Sequence, residues 1–247
     1  MVVLGCVHGD EKIGAKIIHY LKKIKIKKGT LVLQIGNPLA KLKNKRFIDQ
    51  DLNRSFPGNI KGNYEERLAH KLKLFISKAD FVIDLHTSTA DTESFVIVTK
   101  RNKSVIKLVS ILNLSRIVFM NKNFSRKALT YYCKAGISLE YGKNTSKKLI
   151  IADILTMLGR LGLTDLKKRK IIKTKFYSVI STLKKNNRHV LSKNIRNFKS
   201  VKKGDIIANL DKKKLRATKN FYPILFGEKA YKDIFGFCAK KITIRKN

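Results

Sequence analysis

Two short apolar runs, Val2-Val3-Leu4-Gly5-Cys6-Val7 and Phe81-Val82-Ile83-Asp84-Leu85, each stop on a histidine, His8 and His86. Runs of β-formers broken by turn signals read as buried strands, and the first passes through Gly9 into an Ile/Lys-rich helical pattern. His8 and Glu11 therefore fall in a strand-to-helix turn, which can aim an imidazole and a carboxylate at one point. Taken alone, His8-Gly9-Asp10-Glu11 also reads as a polar turn capping a helix through Asp10 or Glu11. With His86 on a second strand end, His, Glu and His at the carboxyl ends of two strands make a three-ligand site with one position open, the arrangement of a catalytic zinc.

The rest of the chain alternates strands and helices. Ile13, Ile17, Ile18, Leu21 and Ile24 predict an amphipathic helix over Lys12–Ile26, with His19 on it as a surface residue. Leu31–Ile35 reads as a strand closed by Gly36-Asn37-Pro38. Residues 39–62 have little periodicity, and a loop of that length with dense polar and aromatic residues reads as functional. A helix over Tyr64–Ser77 carries His70 on its surface. Strands are expected at Phe95–Val98, Arg116–Met120 and Ala135–Gly142, and helices at Ser104–Leu112 and Ile150–Leu161. This order predicts an α/β fold, a mixed central sheet with helices on both faces. Past about Lys168 the runs shorten to Phe176–Leu183, Ile206–Leu210, Tyr222–Phe226 and Lys241–Arg245, a small C-terminal β-rich domain. The predicted division is a catalytic domain over 1–168 and a β-rich domain over 169–247.

Charge bears on partners. With 55 Lys and Arg against 17 Asp and Glu, the formal net charge is +38, which favours polyanions on electrostatics alone. The lysines are scattered through every segment, without regularly interleaved aromatics or a nucleic-acid-binding motif. They read as a solvated surface with composition bias, and no dedicated nucleic-acid site is expected. No run of eighteen apolar residues implies a membrane span, and the opening apolar run is too short for a secretory signal. Cys6, Cys133 and Cys238 are odd in number and far apart, so they read as reduced packing residues of a cytoplasmic protein.

Of the 17 acids, Asp10, Glu11, Asp49, Asp51, Asp84, Asp91, Glu93 and Glu140 fall in or beside the motifs, and one loop crowds Arg46, Asp51, Asn53 and Arg54 together. Two arginines and an amide are what a site needs to grip a carboxylate bidentately and polarise a carbonyl. A solvated basic loop accounts for Lys43 and Lys45 but poorly for this cluster. With these residues in view, the chain resembles the succinylglutamate desuccinylase/aspartoacylase family of zinc carboxypeptidase-like deacylases, nearly end to end. The resemblance rests on His8-Gly9-Asp10-Glu11, on Asn37-Pro38, on Arg46 through Asp51-Leu52-Asn53-Arg54, on Asp84-Leu85-His86, on Gly136–Gly142 with its Glu140, and on Phe221-Tyr222-Pro223.

The resemblance implies a zinc-dependent hydrolase, one Zn²⁺ per chain, acting on the amide bond of a small N-acylated carboxylate. His8, Glu11 and His86 would hold the metal, and Asp51 would accept from the outer ring nitrogen of His8. Glu140 would be the general base toward the attacking water and then protonate the leaving amine. Arg46 would hydrogen-bond the scissile carbonyl oxygen, Asn53 and Arg54 would hold the substrate carboxylate, and Tyr222 would reach in from the second domain. Aspartoacylases carry a further arginine shortly before the catalytic glutamate. Here Arg126, Lys127 and Lys134 give no clean match, with Leu129, Thr130 and Tyr131 near that place, which leaves the substrate open. A zinc carboxypeptidase acting on peptides and a polyanion-binding protein with a vestigial metal site are the alternative functions; oligomeric state is not legible.

Overall fold

The first apolar run is the strand around which the large sheet is laid down. In the computed structural model, residues 1–247 are described except 89, 113, 166–172, 187, 211–212, 229–230 and 245–247. Strand β1 (Val2–Gly5) pairs in parallel with β2 (Val32–Ile35) on one side and β3 (Val82–Ser88) on the other. Beyond β3 lies β6 (Gly136–Gly142), also parallel, followed by β4 (Phe95–Val98), which runs antiparallel to β6. β5 (Arg116–Phe119) then pairs in parallel with β4. The C-terminal strands continue the same sheet: β7 (Lys175–Lys184) is parallel to β5, and β12 (Ile234–Ile242) and β11 (Tyr222–Ile224) follow antiparallel. The nine-stranded order is β11-β12-β7-β5-β4-β6-β3-β1-β2. Strands β8 (Val190–Leu191), β9 (Ile206–Leu210) and β10 (Lys213–Arg216) form a separate small antiparallel sheet. This is the mixed α/β architecture, with a small C-terminal β element, that the strand and helix order predicts.

Both faces of the sheet are covered, and alternation along β1 shows how. Val3 joins a core with Ile17 and Leu21 of α1 (Ile13–Leu21), Val105 and Leu108 of α4 (Lys103–Ile111), and Ile150 and Ile154 of α6 (Lys147–Arg160). Its neighbours Val2 and Leu4 point the other way, onto Ala69, Leu72 and Ile76 of α3 (Tyr64–Ile76). Successive strand side chains face opposite sides, so a run apolar at every position is what a sheet covered on both faces requires. Helix α3 begins on a capping box in which the Asn63 side chain accepts from Glu66 N–H and the Glu66 carboxylate accepts from Asn63 N–H.

Helix α1 and the last strand depart most from the expected bounds. Helix α1 closes at Leu21, where five lysines crowd residues 22–28 and like charges at close spacing oppose further turns. Ile24 and Ile26 nevertheless pack on the core from the segment that follows. The last strand spans Ile234–Ile242, starting seven residues before the expected Lys241, while Arg245 at the end of the expected run lies outside the described residues. Gly236 within it reads as a breaker but sits where the register shifts beside Ile234, and a Cβ there would lie 2.6 Å from the Phe226 ring.

Candidate metal centre and active site

His86 lies within β3, so the chain geometry just past β1 decides where His8 meets it. Cys6 adopts a left-handed φ of 57°, turning the chain out of β1 toward His8. Gly9 is then pressed against the short helix α2 (Pro38–Leu42): a Cβ at this position would lie 2.2 Å from the Ala40 carbonyl carbon. Gly9 N–H donates to Arg46 C=O at 3.1 Å, tying the turn to the arginine-bearing loop.

The His8 and His86 rings lie 4.9 Å apart between centroids, both buried. His8 Nδ1 is 2.6 Å from Glu11 Oε1, and His86 Nδ1 is 3.2 Å from Glu11 Oε2. Thr87 N–H also donates to Oε2, at 2.9 Å, holding the carboxylate against β3. The outer nitrogens have carboxylates of their own: His8 Nε2 is 3.1 Å from Asp51 Oδ1, and His86 Nε2 is 2.6 Å from Asp84 Oδ2. A neutral imidazole that donates from Nε2 to a carboxylate keeps its lone pair on Nδ1. Both lone pairs then face Glu11, a contact that only a shared cation or added protons relieve. One donor atom from each of His8, Glu11 and His86 lies within 4.8 Å of the others, and two imidazoles with one carboxylate are a donor set that suits zinc. The residues fit a divalent metal.

Electrostatics agree. Burial pulls His86 down, but Asp84 and Glu11 outweigh it and raise the pKa well above 6.5. His8 is raised by Asp51 and Glu11 against the same burial. Glu11 and Asp51 are held far below the usual carboxylate range: burial opposes this, the imidazoles drive it in both, and Arg54 and Arg46 add to it at Asp51.

The loop carrying Arg46, Asp51, Asn53 and Arg54 is fixed from below by Glu65, a fully buried carboxylate on α3. Its Oε1 accepts from Ile48 N–H at 2.7 Å and Asn37 Nδ2 at 3.0 Å; its Oε2 accepts from Asp49 N–H at 2.9 Å and Gln50 N–H at 3.3 Å. Asn37 also caps α2 through Ala40 N–H at 3.1 Å, which gives Asn37-Pro38 its structural reason. Arg46 Nη2 lies 3.3 Å from Asp51 Oδ2 and 3.0 Å from His8 Nε2, and Nη1 lies 3.7 Å from Glu11 Oε1. With Nε2 protonated, Asp51 is the partner that holds the guanidinium. Asn53 accepts from Leu129 N–H through Oδ1 at 2.8 Å, leaving the NH2 end of its amide for ligands.

Glu140 stands opposite His86 in the β3–β6 register. Burial pushes its carboxyl up; the two imidazoles oppose this, and Glu11 and Asp84 reinforce it. His8, Arg46, Asn53, Arg54, His86 and Glu140 all line one cavity of about 90 Å³, whose remaining wall comes from β4, β6, the residues just past β4 and β5, α5 (Lys122–Ser125) with the turn after it, and the C-terminal segment. Tyr222 is not among its lining residues: its ring lies against Tyr177, 5.4 Å between centroids. Tyr231 lines the cavity instead. Burial and Glu140 push its phenol up against the pull of Arg54 and Arg46. His19 is exposed, and His70 and His189 are half-buried and stand outside the metal cluster.

Sequence reading gave no role to Asp84, Glu65 or Tyr231. Asp84 was findable, since residues i and i+2 of a strand share a face and Asp84 precedes His86 by two. Glu65 sits on a helix among charged residues, and nothing in the spacing separates Tyr231 from Tyr222.

Residues 1–159 match the succinylglutamate desuccinylase/aspartoacylase catalytic domain. Among curated relatives, a probable aspartoacylase of Trichodesmium erythraeum is 27% identical over 161 residues, 58% of this chain and 55% of that protein. An N-acyl-aromatic-L-amino acid amidohydrolase (carboxylate-forming) of Xenopus tropicalis is 30% identical over 127 residues, 45% of this chain and 41% of that protein. The chain thus spans about half the length of the curated relatives it matches. The fold is similar to that of murine aminoacylase 3, with a TM-score of 0.81 at 19% identity over 98% of this chain and 94% of that one. It is also similar to succinylglutamate desuccinylase from Vibrio cholerae, with a TM-score of 0.76 at 19% identity over 100% of this chain and 82% of that one.

Proposed function

Because the chain belongs to the succinylglutamate desuccinylase/aspartoacylase family, we propose that it is a zinc-dependent hydrolase cleaving the amide bond of a small N-acylated amino acid or similar carboxylate. The observation that carries this is the pair of imidazoles turned by Asp51 and Asp84 so that both inner nitrogens face Glu11, with Glu140 paired beside His86 on the neighbouring strand.

His8, Glu11 and His86 would hold one Zn²⁺ per chain. When bound, zinc supplies Lewis acidity, lowering the pKa of a coordinated water toward about 7 and polarising a carbonyl. Every other role falls to the protein. Glu140, raised by burial, takes a proton from the attacking water and delivers it to the departing amine nitrogen. Arg46, held at Asp51, donates to the carbonyl oxygen as negative charge gathers there. Arg54 and the Asn53 NH2 grip the substrate carboxylate. Tyr231 takes the part expected of Tyr222, a phenol on the cavity wall facing the ligand. Residues 1–168 act as the catalytic domain, and 169–247 as the β-rich domain that closes the cavity with Leu225, Tyr231 and Phe237.

We place the protein in the cytoplasm because Cys6, Cys133 and Cys238 are buried free thiols; among the described residues no helix is long and apolar enough to cross a membrane. No dedicated nucleic-acid partner is proposed.

The test is metal analysis of protein purified without added zinc, followed by hydrolysis of a panel of N-acetyl amino acids. One zinc per chain and turnover abolished in Glu140→Gln with zinc retained are expected. Absence of turnover across the panel by zinc-loaded wild-type protein would overturn the reading.

A further inference from the structure

The walls of the cavity restrict what can enter it, and charge restricts it most. Among the described residues, Arg46 and Arg54 are the cationic side chains that line it. Arg46 is already engaged by Asp51 at 3.3 Å with Glu11 close by. Arg54 has one short contact, from Nη1 to the Asn53 carbonyl at 2.9 Å, and keeps its other donors. It can satisfy one carboxylate.

The rest of the wall offers a second anion nothing comparable. Ile97, Met120, Phe124, Ala128, Leu225 and Phe237 present carbon, or sulfur in Met120. The hydroxyls are largely spent: Ser125 Oγ donates to Thr99 C=O at 2.9 Å, and Thr99 Oγ1 pairs with Thr130 Oγ1 at 2.9 Å. Ser138 and the Tyr231 phenol remain, both neutral groups. A carboxylate against such a wall loses its hydration without gaining a partner, whereas an aliphatic or aromatic group gains contact.

We propose that the site selects substrates with a single carboxylate and an apolar substituent, and rejects dicarboxylates whether the second carboxylate lies on the amino-acid side chain or on the acyl group. The proposal rests on the deacylase reading and names the substrate class of that same site.

The experiment compares N-acetyl-leucine and N-acetyl-phenylalanine with N-acetyl-aspartate and N-succinyl-leucine. Turnover is measured on zinc-loaded wild-type protein, and binding by calorimetry on Glu140→Gln. The expected result is a kcat/KM and an affinity higher by about 100-fold or more for the two monocarboxylates. Equal or better use of either dicarboxylate overturns the selectivity while leaving the deacylase reading intact, and the two dicarboxylates tell which end of the substrate fails. If no compound turns over, the deacylase reading falls, and the binding ratio still decides the selectivity by the same criterion. Met120→Arg supplies the missing cation and is expected to shift the ratio toward N-acetyl-aspartate or N-succinyl-leucine by at least about tenfold; a folded variant with an unshifted ratio for both counts against the charge argument.

Discussion

Glu65→Gln removes one oxygen acceptor from the carboxylate that holds the arginine-bearing loop. Whichever oxygen becomes NH2, two contacts are lost: Ile48 N–H and Asn37 Nδ2 on one side, or Asp49 N–H and Gln50 N–H on the other. The new amide then points donors at donors in a site with no solvent access. Hydrogen bonds to a charged group contribute about 1.5–3 kcal/mol each, so two lost bonds cost at least about 3 kcal/mol. In a chain of this size 1 kcal/mol moves Tm by about 2–4 °C, so a fall of at least about 6 °C is expected in thermal unfolding followed by circular dichroism. Because Arg46 and Asp51 flank the three bonded N–H groups, kcat should fall further than loss of folded protein explains, with zinc content at saturating metal unchanged. A Tm within about 2 °C of wild type would mean that the carboxylate does not carry the loop, and the account of how the site is held would fail.

Gly9→Ala forces a methyl into the α2 backbone, 2.2 Å from Ala40; it should displace the His8–Glu11 turn and weaken zinc binding at least tenfold by competition with a chelator, and wild-type affinity would refute the contact. Asp84→Asn replaces the acceptor at His86 Nε2 with a neutral amide and should lower zinc affinity about 10–100-fold, with Tyr231 and Glu140 variants serving as controls that keep the metal. Arg54→Ala should raise KM strongly with a smaller change in kcat, and an unchanged KM would remove Arg54 from carboxylate binding. In chelator, His8 and His86 have folded pKa values raised above 6.5. Their contribution to stability is complete below that pH and is lost as pH rises through the raised values, so Tm of the metal-free protein should fall from neutral into mildly alkaline pH. A Tm that rises over that range would contradict the sign.

What could be read from the chain and what could not follow from how far each interaction reaches along it. His8 and His86 were legible because a buried strand announces itself by local composition, and the residue at its carboxyl end inherits a known place at the rim of the sheet. Arg46, Asp51, Asn53 and Arg54 were legible because polar residues that crowd an aperiodic loop lack a packing reason to be there. The pairing of His86 with Glu140 joins segments 54 residues apart and depends on β6 entering beside β3, which no local pattern specifies. Glu65 was hidden for the opposite reason: on a helix a glutamate beside Glu66 and Arg67 looks like solvated surface, although α3 buries that position entirely. β12 was misread because Gly236 breaks a sequence pattern while its lack of a side chain lets Phe226 pack against the strand. That misreading bears on function as well, since Phe237 of β12 and Tyr231, whose rings lie 5.7 Å apart, both line the cavity. With the strand starting at Ile234, Leu225 and Tyr231 line the cavity, and the strand beginning at Tyr222 lies in the sheet. Tyr222 was singled out because Phe221-Tyr222-Pro223 resembles the family's tyrosine-bearing segment, and a likeness carried by three adjacent residues says nothing of Tyr231, which reaches the cavity wall from a different stretch of chain.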